Sequence, residues 1–184
     1  MNTILLDADE VLLKYNDHFL DYFSVQKEEN HTYKTFECMF GKEKLLSMIV
    51  DFNSSPYFSS LEPMDGAVEA VHELHKRGYR LKVISSCGDT PDVRFYRRVN
   101  LLHIFGDVFD EVELLKLSDS KAPSLRRHSQ DAVMWVEDNV KNYHEGLNMG
   151  INSFLLLNDF NRNQIQDQRI GVNGWDEILS EFLS

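Results

Sequence analysis

The chain has 184 residues, of which 42% are hydrophobic and 27% are charged, and its formal net charge is −11. These values predict one globular domain, or one domain with a modest insertion, that can bury a substantial core. The acidic excess argues against a nucleic-acid polymer as partner, because such partners are bound by basic surfaces. The sequence contains no apolar run that could span a membrane and no secretory signal. We therefore expect a cytoplasmic protein without a membrane partner.

Strand-like and helix-like segments alternate along most of the chain. Residues 4–6 predict a first strand, and residues 14–60 are helical in character and rich in aromatic side chains. A helix that ends at Gly78 leads to a second strand at 81–84, and Pro91 suits the first turn of the next helix.

The second half of the sequence continues this alternation. A third strand is predicted within residues 108–115, a fourth at 132–136 and a fifth at 153–157, with helices between them and a closing helix at 175–183. Apolar strands that alternate with helices predict an α/β fold with a doubly wound, mainly parallel sheet. We assign residues 1–13 and 61–184 to this core domain and residues 14–60 to a small helical cap inserted after the first strand.

Polar side chains follow three of the predicted strands. They are Asp7 and Asp9 after the first strand, Ser85 and Ser86 after the second, and Glu137 and Asp138 after the fourth. Because parallel strands end at one edge of their sheet, these residues should share a crevice. Carboxylates that lie together repel one another unless a cation neutralises them or one takes a proton. Oxygen ligands of this kind suit Mg²⁺ bound together with a phosphate.

A phosphate in such a site also needs a positive side chain. Lys121, just before the short helix predicted at 122–128, is the first candidate, and Lys116 is the second. The spacing alone leaves the choice between the two lysines open.

Four segments occur in the order of the motifs of the haloacid dehalogenase-like (HAD) superfamily, which the chain resembles. They are DADEV from Asp7, VISS ending at Ser86, SKAP around Lys121 and WVEDN around Asp138. Within that superfamily, residues 61–67, the paired serines and residues 159–162 are similar to the 5'(3')-deoxyribonucleotidase family. The resemblance implies a HAD-like Rossmannoid core, a small cap and an Mg²⁺-dependent phosphomonoester hydrolase.

The resemblance also implies a role for each motif residue. Asp7 would be the nucleophile that forms an aspartyl-phosphate, and Asp9 would be the general acid and base. The phosphate-binding residues would be Ser85, Ser86 and Lys121. The Mg²⁺ ligands would be Asp7, Asp138, Asp9 through its backbone carbonyl, and Glu137 directly or from behind.

The sequence departs from the superfamily pattern at two places. Glu10 stands where the first motif usually has glycine, and Asn139 and Asn142 stand near the place of a further aspartate. Glu10 adds charge near the mouth of the site. Neither departure removes an essential charge, but metal affinity could be lower. Asp9 also separates this chain from the dehalogenases proper, which lack an acid at that place.

The expected substrate is a small phosphorylated molecule, first a nucleoside or deoxynucleoside 5'-monophosphate. Phe19 and Phe23, on one face of a predicted cap helix, are candidates for stacking on a base. A sugar phosphate and the 3'-phosphate of a nucleic-acid end remain as alternatives within the same chemistry. A non-catalytic HAD-like binding protein is the alternative from another class, and a homodimer is left open.

Overall fold

The computed structural model of the protein describes residues 2–26, 33–165 and 170–184. The strands are β1 (Thr3–Leu6), β2 (Arg80–Ser85), β3 (Glu111–Leu114), β4 (Ala132–Glu137), β5 (Ser153–Leu156) and β6 (Gly171–Val172). They form one sheet in the order β3-β2-β1-β4-β5-β6, and every neighbouring pair is parallel. The predicted α/β fold with a doubly wound parallel sheet is therefore confirmed.

Helices connect the strands on both sides of the sheet. They are α1 (Tyr15–Tyr22), α2 (Tyr33–Phe40), α3 (Lys42–Asn53), α4 (Ala67–Lys76), α5 (Pro91–Phe105), α6 (Ala122–His128), α7 (Val140–Asn148) and α8 (Trp175–Phe182). Helix α5 begins as its sequence predicts, since Thr90 accepts a hydrogen bond from the backbone N–H of Val93 and Pro91 occupies the first turn. Within the described ranges no helix is long and apolar enough to cross a bilayer.

The position of β1 determines where polar groups can meet. Ile4, Leu5 and Leu6 are fully buried, as expected for a central strand with both faces covered. The chain runs outward from β1 to β2 and β3, then returns to place β4 on the other side of β1. Ligands of open α/β sheets bind in the crevice at the carboxyl ends of strands where the order reverses in this way. Here that crevice lies between the ends of β1 and β4.

Helices α1 to α3 and a short 3-10 helix (Pro56–Ser59) occupy the segment between β1 and α4. We call residues 14–60 the helical insert. Its two ends lie side by side, because the backbone N–H of Lys14 donates to the carbonyl of Glu62 and that of Met64 donates to the carbonyl of Leu12, both at 2.9 Å. Its fully buried Phe52 and Phe58 belong to the same apolar cluster as the sheet. The insert therefore packs on the core rather than standing apart from it.

The described elements differ from the sequence-based expectation mainly at the sheet edges. Strand β3 is shorter than predicted, and β6 has only two residues, too few to show an alternating pattern. The sequence predicts that helix α5 ends near Leu101, but it ends at Phe105, where Gly106 adopts a φ of 73°. None of these differences affects the crevice beside β1.

Candidate active site

The end of β1 delivers two aspartates to the crevice. The backbone N–H of Asp7 donates to the carbonyl of Val136 at 2.9 Å, which continues the pairing with β4 one residue beyond the strand. The backbone N–H of Ala8 donates to Asp7 Oδ1 at 2.7 Å and fixes that carboxylate. Ala8 is fully buried, while Asp7 and Asp9 both line the cavity above the sheet.

Lys121 lies between two of the predicted carboxylates. Its Nζ is 2.6 Å from Asp7 Oδ1 and 2.9 Å from Glu137 Oε2, and its side chain is 4% exposed. Burial opposes the positive charge, but Asp7 and Glu137 outweigh it and raise the pKa of Lys121, so the side chain stays an ammonium. Lys116 is exposed and is not among the cavity-lining residues of the described chain. The structure thus brings Lys121, rather than Lys116, to Asp7.

Asp138 is held from behind by the loop after β5. Asn158 Nδ2 donates to Asp138 Oδ2 at 3.1 Å. Asn161 Nδ2 donates at 2.8 Å to the carbonyl of Asp138 and, also at 2.8 Å, to that of Leu156. These amides fix the side chain and the backbone of Asp138. The sequence-based reasoning did not assign either asparagine, although the segment at 159–162 contributed to the resemblance.

The crowding of these acids changes their proton affinity. Burial, followed by the charge of Asp7, raises the pKa of Asp138 to about 8. The same two causes, in the same order, raise the pKa of Glu137 well above its usual value. Three carboxyl groups with one ammonium among them carry excess negative charge in a low-dielectric place. Such a group of oxygens favours a proton or a bound cation.

The donor set fits a hard divalent cation. Asp7, Glu137 and Asp138 can each present one oxygen such that the three lie within 4.8 Å of one another. Both oxygens of Glu137 already accept hydrogen bonds, from the backbone N–H of Asn139 at 3.0 Å and from Lys121. Within the described part of the chain, these contacts engage Asp7 through Oδ1 and Asp138 through Oδ2. Asp7 and Asp138 are therefore better placed than Glu137 to bind a cation directly.

Asp9 has a partner that the sequence-based reasoning missed. Arg97, on α5, forms a buried ion pair between its Nη2 and Asp9 Oδ1. Burial raises the pKa of Asp9, and the nearby Arg97 partly offsets this effect. No motif marks Arg97, because an arginine within a helix is usually a surface residue. Its burial becomes visible only in the folded chain.

The two serines after β2 separate in the structure. Ser86 lines the cavity, whereas Ser85 is the last residue of β2, is fully buried and is not among the cavity-lining residues described. Successive side chains of a strand point in opposite directions, which explains why only one of the pair reaches the crevice. Of the two predicted phosphate ligands, Ser86 has the position that this role requires.

The cap aromatics also differ from the expectation. Phe19 is 4% exposed and packs against Tyr15, Phe23 and Phe52. In the described chain neither Phe19 nor Phe23 lines the cavity over Asp7, so the structure does not bring them to the expected stacking position. The reason is that their shared helical face turns into the aromatic core of the insert. Tyr15 is the aromatic side chain that lines the cavity there.

Glu10 adopts a backbone conformation that explains the glycine of related sequences. Its φ is 58°, in the left-handed region, which costs a residue with a Cβ about 1–2 kcal/mol. The side chain gives a local compensation, since Glu10 Oε1 accepts a hydrogen bond from the backbone N–H of Asn16 at 2.7 Å. That N–H belongs to the first turn of α1, where donors lack a helical partner. Glu10 therefore links the motif loop to the helical insert.

Together these groups surround a cavity of about 470 Å³ at the carboxyl ends of β1 and β4. Its lining includes the acids and Lys121, Tyr15, Ile49 and Asn53 of the insert, and residues around the start of α7. The insert is tied to the core here, because Tyr15 Oη donates to Asn53 Oδ1 at 2.9 Å and Asn53 Nδ2 donates to the carbonyl of Cys87 at 2.8 Å.

No protein-family model matches the sequence, and no curated protein matches it. Solved structures do match its fold. A predicted phosphatase from Clostridium acetobutylicum aligns with a TM-score of 0.70 and 17% identity, over 99% of this chain and 98% of that one. CbbY from Rhodobacter sphaeroides, solved in complex with xylulose-(1,5)bisphosphate, aligns with a TM-score of 0.64 and 14% identity over 96% of each chain.

The L-2-haloacid dehalogenase PA0810 aligns with a TM-score of 0.65 and 12% identity over the full length of both chains. The chain therefore has the haloacid dehalogenase-like fold, as the resemblance implied. At these identities the likeness establishes the fold alone, and a phosphatase and a dehalogenase share it. The reaction has to be argued from the side chains in the crevice.

Proposed function

We propose that the protein is an Mg²⁺-dependent phosphomonoester hydrolase that works through an aspartyl-phosphate. One observation carries this proposal: Lys121 Nζ lies 2.6 Å from Asp7 Oδ1 at the point where the strand order reverses. A carboxylate fixed beside a buried ammonium can attack phosphorus while the ammonium balances the charge of the transferred group. Asp9 adds the proton-transfer group that a phosphate ester needs and that a halide leaving group does not.

Each residue has a step in this mechanism. Asp7 attacks phosphorus and forms the acyl phosphate bond as the bond from phosphorus to the leaving oxygen breaks. Asp9 gives its proton to that oxygen, and its carboxylate then takes a proton from the water that attacks the acyl phosphate. Lys121 and the hydroxyl of Ser86 contact the phosphoryl oxygens. Inorganic phosphate leaves and Asp7 is free again.

Asp7, Asp138 and the backbone carbonyl of Asp9 would hold the Mg²⁺, with Glu137 positioning Lys121 from behind. When bound, the cation neutralises phosphoryl oxygens and the crowded carboxylates. The raised pKa values of Glu137 and Asp138 support this proposal, since both report carboxyl groups short of positive charge. Glu137 is fully buried with its oxygens in hydrogen bonds, which supports the indirect role.

We propose further that the helical insert is the cap that selects the substrate, and that a nucleoside 5'-monophosphate is its first candidate. Among the described residues, Tyr15 is the aromatic one that lines the cavity, which supports a contact with a base there. A sugar phosphate is the second candidate, favoured by the polar wall of Asp119, Asn139 and Asn142. The structural relative CbbY was solved with a sugar bisphosphate, which is consistent with this second candidate.

Phosphate release tests the reaction. Nucleoside monophosphates, sugar phosphates and an aryl phosphate should be supplied with Mg²⁺ and, separately, with EDTA. We expect release that EDTA abolishes and that Asp7→Asn reduces to background with an unchanged circular dichroism spectrum, while the exposed Asp21→Asn stays active. Release that survives Asp7→Asn would contradict the nucleophile, and a wild-type protein inert toward every phosphate would favour the non-catalytic alternative.

Substitutions of Tyr15 test the substrate class in the same assay. Tyr15→Phe keeps the ring and loses the hydrogen bond to Asn53, whereas Tyr15→Leu loses the ring as well. If a base stacks on Tyr15, Tyr15→Leu should lower the rate on nucleotides relative to the rate on sugar phosphates, and Tyr15→Phe should not. Equal losses on both classes would remove the support for a nucleotide.

A further inference from the structure

The side chain of Arg97 is buried more completely than an ordinary surface ion pair requires. Its side chain is fully buried, and its guanidinium carbon lies 4.0 Å from the centre of the Phe58 ring. Among the described residues its Nε and Nη1 have no hydrogen-bond partner, and the thiol of Cys87, a weak acceptor, is a further neighbour. The ion pair with Asp9 is thus the strong interaction that the structure describes for the Arg97 guanidinium.

The partner of Arg97 is the residue to which the proposed function gives proton transfer. Arg97 itself is not among the cavity-lining residues described, so it does not contact a substrate in the cavity. Asp9 is different, because its side chain is 25% exposed and lines the cavity. Arg97 holds Asp9 at Oδ1, while the Asp9 side chain as a whole still reaches the cavity.

We propose that Arg97 is a positioning residue that holds Asp9 in the orientation for proton transfer. This inference rests on the proposed function and deepens it. When Asp9 gives its proton to the leaving oxygen, the product is the carboxylate, which is the form that pairs with Arg97. In the second step the same pair keeps the carboxylate aimed at the attacking water. Proton transfer depends on such alignment at hydrogen-bond distance.

Phe58 extends this arrangement to the helical insert. Phe58 lies in the short 3-10 helix at the end of the insert, is fully buried, and covers the guanidinium face. A ring at this distance fixes the plane of an arginine and stabilises its charge. The geometry therefore connects the packing of the insert to the orientation of Asp9 through Arg97.

The test compares leaving groups in single-turnover reactions at saturating Mg²⁺. An alkyl phosphate needs a proton on its leaving oxygen, and an aryl phosphate with a good leaving group does not. Arg97→Met keeps an unbranched apolar stem and removes the guanidinium with its charge, and we expect about a tenfold to hundredfold loss on the alkyl ester with a small loss on the aryl ester. Arg98→Met, on the exposed side of the same helix, is the matched control and should leave both rates unchanged.

Phe58→Leu gives a second, milder variant should Arg97→Met unfold. It should show the same preference for the aryl ester, with a smaller loss on the alkyl ester. A second measurement uses the Asp9→Asn background, where Arg97→Met should cause no further loss on the alkyl ester because Arg97 acts through Asp9. Equal losses on both esters, or the same loss in the Asp9→Asn background, would overturn the proposal and leave Arg97 a merely structural residue.

Failure of the proposed function would look different. In that case the wild-type protein itself would release no phosphate, or Asp7→Asn would remain active. A crystal structure of Arg97→Met would still test the inference, because we expect the Asp9 side chain to leave its wild-type rotamer. An unchanged Asp9 rotamer would show that Arg97 does not position it.

Discussion

Replacing Lys121 by methionine should show how much the stability of the fold and the activity of the crevice depend on this positive charge. Methionine has a similar length and keeps the apolar character of the stem, so the change is mainly the loss of the ammonium, which also lies 5.4 Å from the centre of the Trp135 ring. Two short ion pairs disappear together, at 2.6 Å to Asp7 and 2.9 Å to Glu137. What remains is a set of three carboxyl groups with no cation between them.

The expected loss of stability in Lys121→Met follows from the burial of these ion pairs. Lys121 is 4% exposed and its two partners are 9% and 0% exposed, so solvent screens these pairs little. Removing one partner of a buried pair costs about 3–5 kcal/mol. Because Glu137 can take up a proton, we expect the lower end, about 3 kcal/mol, or a fall in Tm of roughly 6–12 °C for a domain of this size.

Urea unfolding in EDTA measures this loss directly, with the exposed Lys116→Met as the matched control. Added Mg²⁺ should reduce the difference in the free energy of unfolding between Lys121→Met and the wild type, because the cation neutralises the same oxygens. A ligand at a hundred times its Kd stabilises a fold by about 2.7 kcal/mol. Phosphate release by Lys121→Met should stay low even in saturating Mg²⁺. A loss below about 1 kcal/mol, the range of exposed pairs, would refute the reasoning.

Two further predictions concern the surroundings of the site. Asn158→Ala removes the amide that donates to Asp138 Oδ2 at 3.1 Å, so activity should need roughly tenfold to a hundredfold more Mg²⁺. A titration of phosphate release with Mg²⁺ would measure this requirement, and an unchanged titration would mean that Asp138 needs no support from Asn158. Gly146→Ala should lower the free energy of unfolding, measured in urea, by about 1–3 kcal/mol. The reason is that a Cβ there would lie 2.4 Å from Ser153 Oγ and 2.6 Å from Trp135 Cδ1. An unchanged free energy of unfolding would show that α7 can shift freely.

The motif residues could be predicted from the sequence because their position depends on local order. Asp7, Ser86 and Asp138 each come at the end of a short, mostly apolar run that predicts a buried strand, and parallel strands end together. Lys121 could be named as a candidate but not distinguished from Lys116, since both precede the same helix. The loop between β3 and α6 makes that choice, and its path depends on the folded core.

Arg97 and the cap aromatics could not be predicted, for a different reason. Arg97 lies 88 residues from Asp9 in the sequence, and its burial depends on Phe58, a residue of the insert. Phe19 and Phe23 share a helical face in the sequence, but periodicity gives a face and not what the face contacts. In the structure that face contacts other aromatic rings.

The hydrogen bond between Tyr15 and Asn53 joins residues 38 positions apart, and Asn53 is in turn bonded to the core at Cys87. The insert is thereby closed into a loop at its base, and Phe36, Leu45 and Met48 between these two residues are buried in the same apolar cluster as the sheet. Since doubling the length of a flexible loop costs only about 0.6 kcal/mol, insertions should be tolerated at the exposed turn around Gly41, between α2 and α3, rather than within the helices that bury these side chains. Substrate range could then diverge over evolution through the length of the insert, while the acids beneath it stay in place.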